Sequence, residues 1–150
     1  MVERFFDQLG PQRCAQLTHV SSDGAEWILG PVEQRCPNAT ICLDPFHVVQ
    51  WATSALDKVR RTIWNQTRRS GQKAEATELK GSRWLLLRNA QDLTPNETTK
   101  LALVAKLNGP LYRAYLLKEQ LRMVFHVDYG EAIGTLERWL QWARRCRIGP

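Results

Sequence analysis

Four side chains in this sequence have the types and settings that metal-assisted phosphoester chemistry uses. Asp23 follows a short run of strand formers, Leu17-Thr18-His19-Val20-Ser21, and precedes Gly24. A carboxylate at the end of a rigid strand is a good hard-oxygen ligand for a cation such as magnesium. Asp44 and His47 stand three residues apart in Asp44-Pro45-Phe46-His47, where a helix begins, and Glu119 lies 96 residues beyond Asp23 within a helical stretch.

Each of these residues also has a simpler reading. An Asp before Gly is a common turn former. An Asp before Pro at a helix start is the expected N-cap, with His47 shielding the first turn. Glu119, beside Lys118 and near Arg122, reads equally as a charged surface residue, although its neighbours Tyr112, Leu116 and Met123 make its stripe half apolar. Cys36, Cys42 and His47 suggest zinc only weakly, because a fourth ligand and the knuckle spacing are both missing. The four cysteines, Cys14, Cys36, Cys42 and Cys146, contain no C-x-x-C pair and read as reduced, mostly buried thiols.

The elements that must position these residues follow from periodicity. Val2, Phe5, Phe6 and Leu9 mark an amphipathic helix stopped by Gly10-Pro11. The strand ending at Ser21, a helix over about 25–35 strained near Gly30-Pro31, and a strand Thr40-Ile41-Cys42-Leu43 form a βαβ unit. Such a unit makes parallel strands and puts Asp23 and Asp44 at their carboxyl ends, where open α/β sheets gather ligands. A long helix runs from Pro45 toward Arg68, with Phe46, Val49, Ala52, Leu56, Val59 and Ile63 as its apolar stripe. Ser70-Gly71-Gln72 ends it. Lys80 to Arg88 reads as helix, though Trp84-Leu85-Leu86-Leu87 would also suit a buried strand. Thr94-Pro95-Asn96-Glu97 is a capping box that opens a helix to Leu107. Further helices are expected over about 111–126 and from about 129 to 147, so the fold class is α/β but mainly helical, in one domain.

The chain has 150 residues and a net charge of +6, and a local excess of the same size lies in one stretch. Between Lys58 and Arg83 stand Lys58, Arg60, Arg61, Arg68, Arg69, Lys73, Lys80 and Arg83 against only Glu75 and Glu78. Such a cluster is either a solvated helix face or a contact for nucleic-acid phosphates. No apolar run approaches a membrane span and the first residues show no signal-peptide core, so a cytoplasmic location is expected. No Gly-rich phosphate loop, G-x-S-x-G elbow or H-E-x-x-H pair occurs, which leaves nucleotide-binding, serine-hydrolase and zinc-protease readings without support.

Several blocks, taken together in order and spacing, resemble the transposases of ISL-three family bacterial insertion sequences. They are Ser21-Ser22-Asp23, Cys36-Pro37-Asn38-Ala39, Asp44-Pro45-Phe46-His47-Val48-Val49-Gln50, Ala55 to Arg61, Lys80 to Asn89, Leu93 to Glu97 and Ala114 to Arg122. The resemblance implies a ribonuclease H-like catalytic domain with an Asp-Asp-Glu site, in which Asp23 is the second acid, Glu119 the third and Asp44/His47 an accessory D-x-x-H pair. It implies two Mg2+ ions, one activating a water or 3′-hydroxyl and the other stabilising the leaving oxygen. It implies DNA, both transposon ends and target, as partner, held by the bases from Lys58 to Arg83. A helical insertion would occupy about 60–108. The first acid of the triad and three strands of the sheet have no counterpart here, so the chain reads as the C-terminal part of a truncated transposase. Such a fragment would be inactive alone, and its open strand edge would favour an oligomer or an upstream fragment as partner. The competing readings are a non-catalytic basic helical protein that binds nucleic acid, using Trp51 or Trp64, and a helical interaction module.

Overall fold

The computed structural model describes residues 2–148. Where the sequence reads as one domain, the contacts divide the chain into two compact units, one up to Val48 and one from Val49 on.

In the first unit α1 (Val2–Leu9) and α2 (Pro11–Cys14) precede β1 (His19–Ser22), α3 (Glu26–Arg35) and β2 (Thr40–Leu43). Phe6 of α1 is buried with Cys14, Val32 and Cys36, and Val2, Leu9, Leu17, Val20, Ile28 and Ile41 close around them. Phe5, placed on the same stripe by spacing, is instead exposed. The eight-residue helix turns only one narrow edge to its neighbours.

β1 and β2 pair in parallel with His19 opposite Thr40 and Ser22 opposite Leu43, as the βαβ reading requires. The expected strand from Leu17 starts two residues later, because Leu17 faces the core as an approach segment. α3 runs through Pro31 without ending. A proline there removes one intrahelical bond, so packing against α1 and β1 must hold the helix. Cys36 and Cys14 share the core, and burial first, then the neighbouring Cys14, pushes the Cys36 thiol up. Cys36 is thus used in packing the core of this unit.

The long helix α4 (Pro45–Arg69) matches its expected span. Its predicted stripe is only partly used: Leu56 is buried and Val59 and Ile63 pack beside it, whereas Phe46 is 70% exposed. Gly71 ends the helix with φ +84°, a backbone conformation that a side chain disfavours. A helix the sequence did not announce follows, α5 (Lys73–Gly81), since only Ala76 and Leu79 mark its inner face. The expected 80–88 helix is broken at Ser82, whose hydroxyl donates to the Leu79 carbonyl. Trp84-Leu85-Leu86-Leu87 is therefore helical, in α6 (Arg83–Leu87), rather than strand.

A 3-10 turn at Ala90–Asp92 leads to α7 (Pro95–Leu107), α8 (Gly109–Val124) and α9 (Tyr129–Arg145). Leu56, Leu79, Leu86, Leu101, Val104, Leu111 and Tyr115 form the core of this second unit. The capping box is complete: the Glu97 N–H donates to the Thr94 hydroxyl oxygen, and the Thr94 N–H donates to the Glu97 carboxylate. Those bonds from Thr94, with Arg88 nearby, hold the Glu97 carboxyl below its ordinary value. Thr94→Ala is expected to cost about 1 kcal/mol in urea denaturation near neutral pH. The sign for pH follows from the lowered value: the Glu97 contribution is present above its ordinary pKa and is lost as pH falls through the folded one. The gap between Thr94→Ala and wild type should therefore narrow in acid without closing, because the bond from the Glu97 N–H to the Thr94 hydroxyl does not depend on the carboxylate charge.

Candidate functional site

Because Ser22 and Leu43 are the last paired residues of two parallel strands, Asp23 and Asp44 leave the sheet at the same end. The Asp44 N–H extends the ladder by donating to the Ser22 carbonyl at 2.8 Å. Asp23 is exposed, and its Oδ1 accepts from the Ala25 N–H at 3.0 Å, a local turn made possible by Gly24 at φ +85°. So the simple turn reading holds for Asp23, while its other carboxylate oxygen has no hydrogen bond among the described residues.

Asp44 and His47 act on each other directly. Asp44 Oδ1 accepts from the Phe46 N–H at 3.0 Å, and Oδ2 lies 2.8 Å from His47 Nδ1. The bond to His47, and next the Phe46 N–H, hold the Asp44 carboxyl below the usual range. An N-cap and a D-x-x-H pair are here one structure, because the cap fixes the carboxylate from which the imidazole is oriented.

Glu119 belongs to the second unit and is not a surface residue. Its side chain is 12% exposed, with Oε2 accepting from the Ala90 N–H at 2.9 Å. Oε1 lies 2.7 Å from the Lys118 ammonium, a close ion contact without hydrogen-bond alignment, and Arg122 stands 3.5 Å from Oε2. Lys118 is itself buried and donates to the carbonyls of Leu86 and Arg88 at 3.2 and 2.7 Å. Burial lowers the Lys118 pKa, and Glu119 opposes that shift. Tyr115 beneath it is pushed up to about 12, chiefly by burial. Tyr115, Lys118, Glu119 and Arg122 thus line one α8 face that clamps residues 86–91. Their i, i+3, i+4, i+7 spacing was a visible signal, but a polar row at core positions is easily taken for surface.

Among the described residues no three His, Cys, Asp or Glu side chains gather as a group able to hold a metal ion. Glu119 as placed is already neutralised by two cations, Lys118 and Arg122.

The basic stretch divides sharply. Arg60, counted by sequence among the phosphate-facing bases, needs correction: it is buried, with Nε and one terminal nitrogen donating to Asp57 Oδ1 at 2.9 and 2.8 Å. Asp57 also pairs with Arg61 at 3.2 Å and reaches Arg83 at 3.9 Å. This acid lies one position before the basic window, so a charge count starting at Lys58 missed it. Among the described residues no carboxylate pairs with Lys58, Arg68, Arg69, Lys73 or Lys80, and all five are exposed. Arg68 and Lys80 lie over the Trp64 ring, and Arg83 over Trp84, which is 70% exposed.

Among the described residues no helix is long and apolar enough to cross a membrane. No solved structure matches the chain. Two Mycobacterium tuberculosis relatives, from strains CDC 1551 / Oshkosh and ATCC 25618 / H37Rv, are each named as the transposase for insertion sequence element IS1557. Both are 50% identical to this chain, covering 96% of it and 37% of their own length. The transposase for insertion sequence element IS1001 of Bordetella parapertussis is 30% identical over 92% of this chain and 33% of its own. The chain thus spans about a third of the length of the curated relatives it matches. A family described as Transposase, that of the ISL-three elements, matches residues 1–150, and this chain belongs to it.

Proposed function

We propose that this chain is the part of an insertion-sequence transposase that grips the DNA backbone and carries acids of its catalytic domain. The observation supporting it best is the row of exposed, unpaired bases, Lys58, Arg68, Arg69, Lys73 and Lys80, on α4 and α5. Phosphate contacts of this kind release counterions, so they bind strongly at low salt and carry little sequence information. Arg61 and Arg83 join the row with their charge shared by Asp57.

In the same reading β1, α3 and β2 are a piece of a ribonuclease H-like sheet, supported by their parallel pairing and by the acids at the strand ends. Asp23 and Glu119 would serve as acids of the Asp-Asp-Glu site, Asp44 and His47 would be positioning neighbours, and residues 60–108 would be a helical insertion. DNA, at transposon ends and target, is the partner, and cleavage should need the rest of a full-length transposase, of which this chain spans about a third. A second reading, a non-catalytic nucleic-acid binder, gains from the cation pairs of Glu119, which suit a structural role.

Fluorescence anisotropy with a labelled duplex tests the proposal. Binding should weaken steeply with salt, and Arg68→Glu with Arg69→Glu should lower affinity at least about tenfold and flatten the log–log salt slope by about two. Unchanged binding in the double variant would remove the α4 surface from the proposal. A nicking assay on matching transposon ends separates the two readings: Mg2+-dependent nicking by the isolated chain, lost in Asp23→Asn, would show a complete site.

A further inference from the structure

We infer that the cleft between α4 and α6 binds the phosphate monoester at the end of a DNA strand, separately from the row of bases that faces the backbone. Gln50, Ser54, Asp57 and Arg61 recur at intervals of four, three and four residues, so they share one face of α4. Arg83 and Leu87 of α6 stand across from them, and with Thr53 these residues line the cleft. Its charge is out of balance. Asp57 is the only carboxylate paired with Arg60, Arg61 and Arg83 among the described residues, so three positive charges meet one negative charge. An excess of two in one place is costly unless an anion joins it.

Asp57 meets Arg61 and Arg83 through their Nε atoms, at 3.2 and 3.9 Å, and among the described residues no hydrogen bond occupies the terminal nitrogens of either. The Trp84 ring, 4.9 Å from the Arg83 guanidinium carbon, braces that side chain. Two guanidinium forks steadied at one end and open at the other suit phosphate oxygens, which arginine binds through paired N–H donors. Ser54 and Gln50, both exposed, add a hydroxyl and an amide to the rim. Charge selects the form of phosphate. A backbone diester carries one negative charge and a terminal monoester about 1.5 to 2 near neutral pH, so the monoester matches the excess. The DNA source rests on the transposase reading above, in which cleavage that frees a 3′-hydroxyl leaves this group on the neighbouring 5′ end.

Fluorescence anisotropy at fixed salt compares a short labelled duplex ending in 5′-phosphates with the same duplex ending in 5′-hydroxyls. The phosphorylated form should bind the 150-residue chain at least about tenfold tighter, the effect expected of charge-assisted hydrogen bonds. Arg61→Gln with Arg83→Gln should remove that preference, and so should Ser54→Asp, which puts a negative charge in the cleft. All three positions are exposed and Asp57 keeps its pair with buried Arg60, so circular dichroism should stay unchanged. Arg68→Glu with Arg69→Glu should weaken both duplexes alike and leave the preference, so the end site and the backbone row fail separately. Equal binding of the two duplexes overturns the inference, as does a preference that survives in the Arg61 and Arg83 double variant or in Ser54→Asp. Inorganic phosphate titrated at constant ionic strength separates the sources. It should cancel the preference only at millimolar concentration, whereas tight binding of inorganic phosphate with no preference between the duplexes overturns the strand-end assignment.

Discussion

Glu119→Ala is expected to destabilise the unit from Val49 on by about 3–5 kcal/mol, because it leaves Lys118 and Arg122 buried without their counter-charge. The Ala90 N–H loses its acceptor as well. Urea denaturation followed at the tryptophans measures this. Glu119→Gln should cost less, since an amide oxygen can still accept from Ala90, although it cannot neutralise two cations. A change below about 1 kcal/mol in the alanine variant would mean that Lys118 reaches water after a small rearrangement. The consequence for function is direct. Loss of transposition in a Glu119 variant does not by itself identify a metal ligand, and must be compared at matched folded fraction.

Asp57→Ala should have an effect of similar size, about 3–5 kcal/mol, for the same physical reason at a different place. The Arg60 side chain, 7% exposed, is held by Asp57 through two guanidinium donors, and nothing else among the described residues offers it an acid. Combining Asp57→Ala with Arg60→Leu should recover much of the loss, because an apolar residue of similar reach does not need the carboxylate. If the double variant is no better than the single one, Asp57 matters through Arg61 and Arg83 rather than through the buried pair.

Much of the local structure was legible because it is written in neighbouring residues. The Thr94 to Glu97 box, the stop at Gly71, and the strand–helix–strand order around Asp23 and Asp44 all rest on bonds or backbone conformations reaching only a few positions along the chain. α5 escaped notice since two apolar residues are too few to show a period, and the break at Ser82 depends on how Leu79 and Leu85 must enter one core. Family membership was legible too, for it lies in ordered blocks spread over the chain.

The sequence by itself determined the parallel strand pair, the start of α4 at Asp44-Pro45, and the excess of positive charge, because each follows from composition or short-range spacing. Only the tertiary structure decided which charges meet water. Arg60 and Lys118 are buried while Arg68 and Arg69 are exposed, although all four are bases on helices. The difference comes from what packs against each helix face. Asp57 turns inward with Arg60, and the 86–91 segment folds over Lys118 and Glu119, 30 residues away in sequence for the bond to Arg88. A side chain's availability to a phosphate or a cation is set by such distant neighbours, which no count along the chain can see.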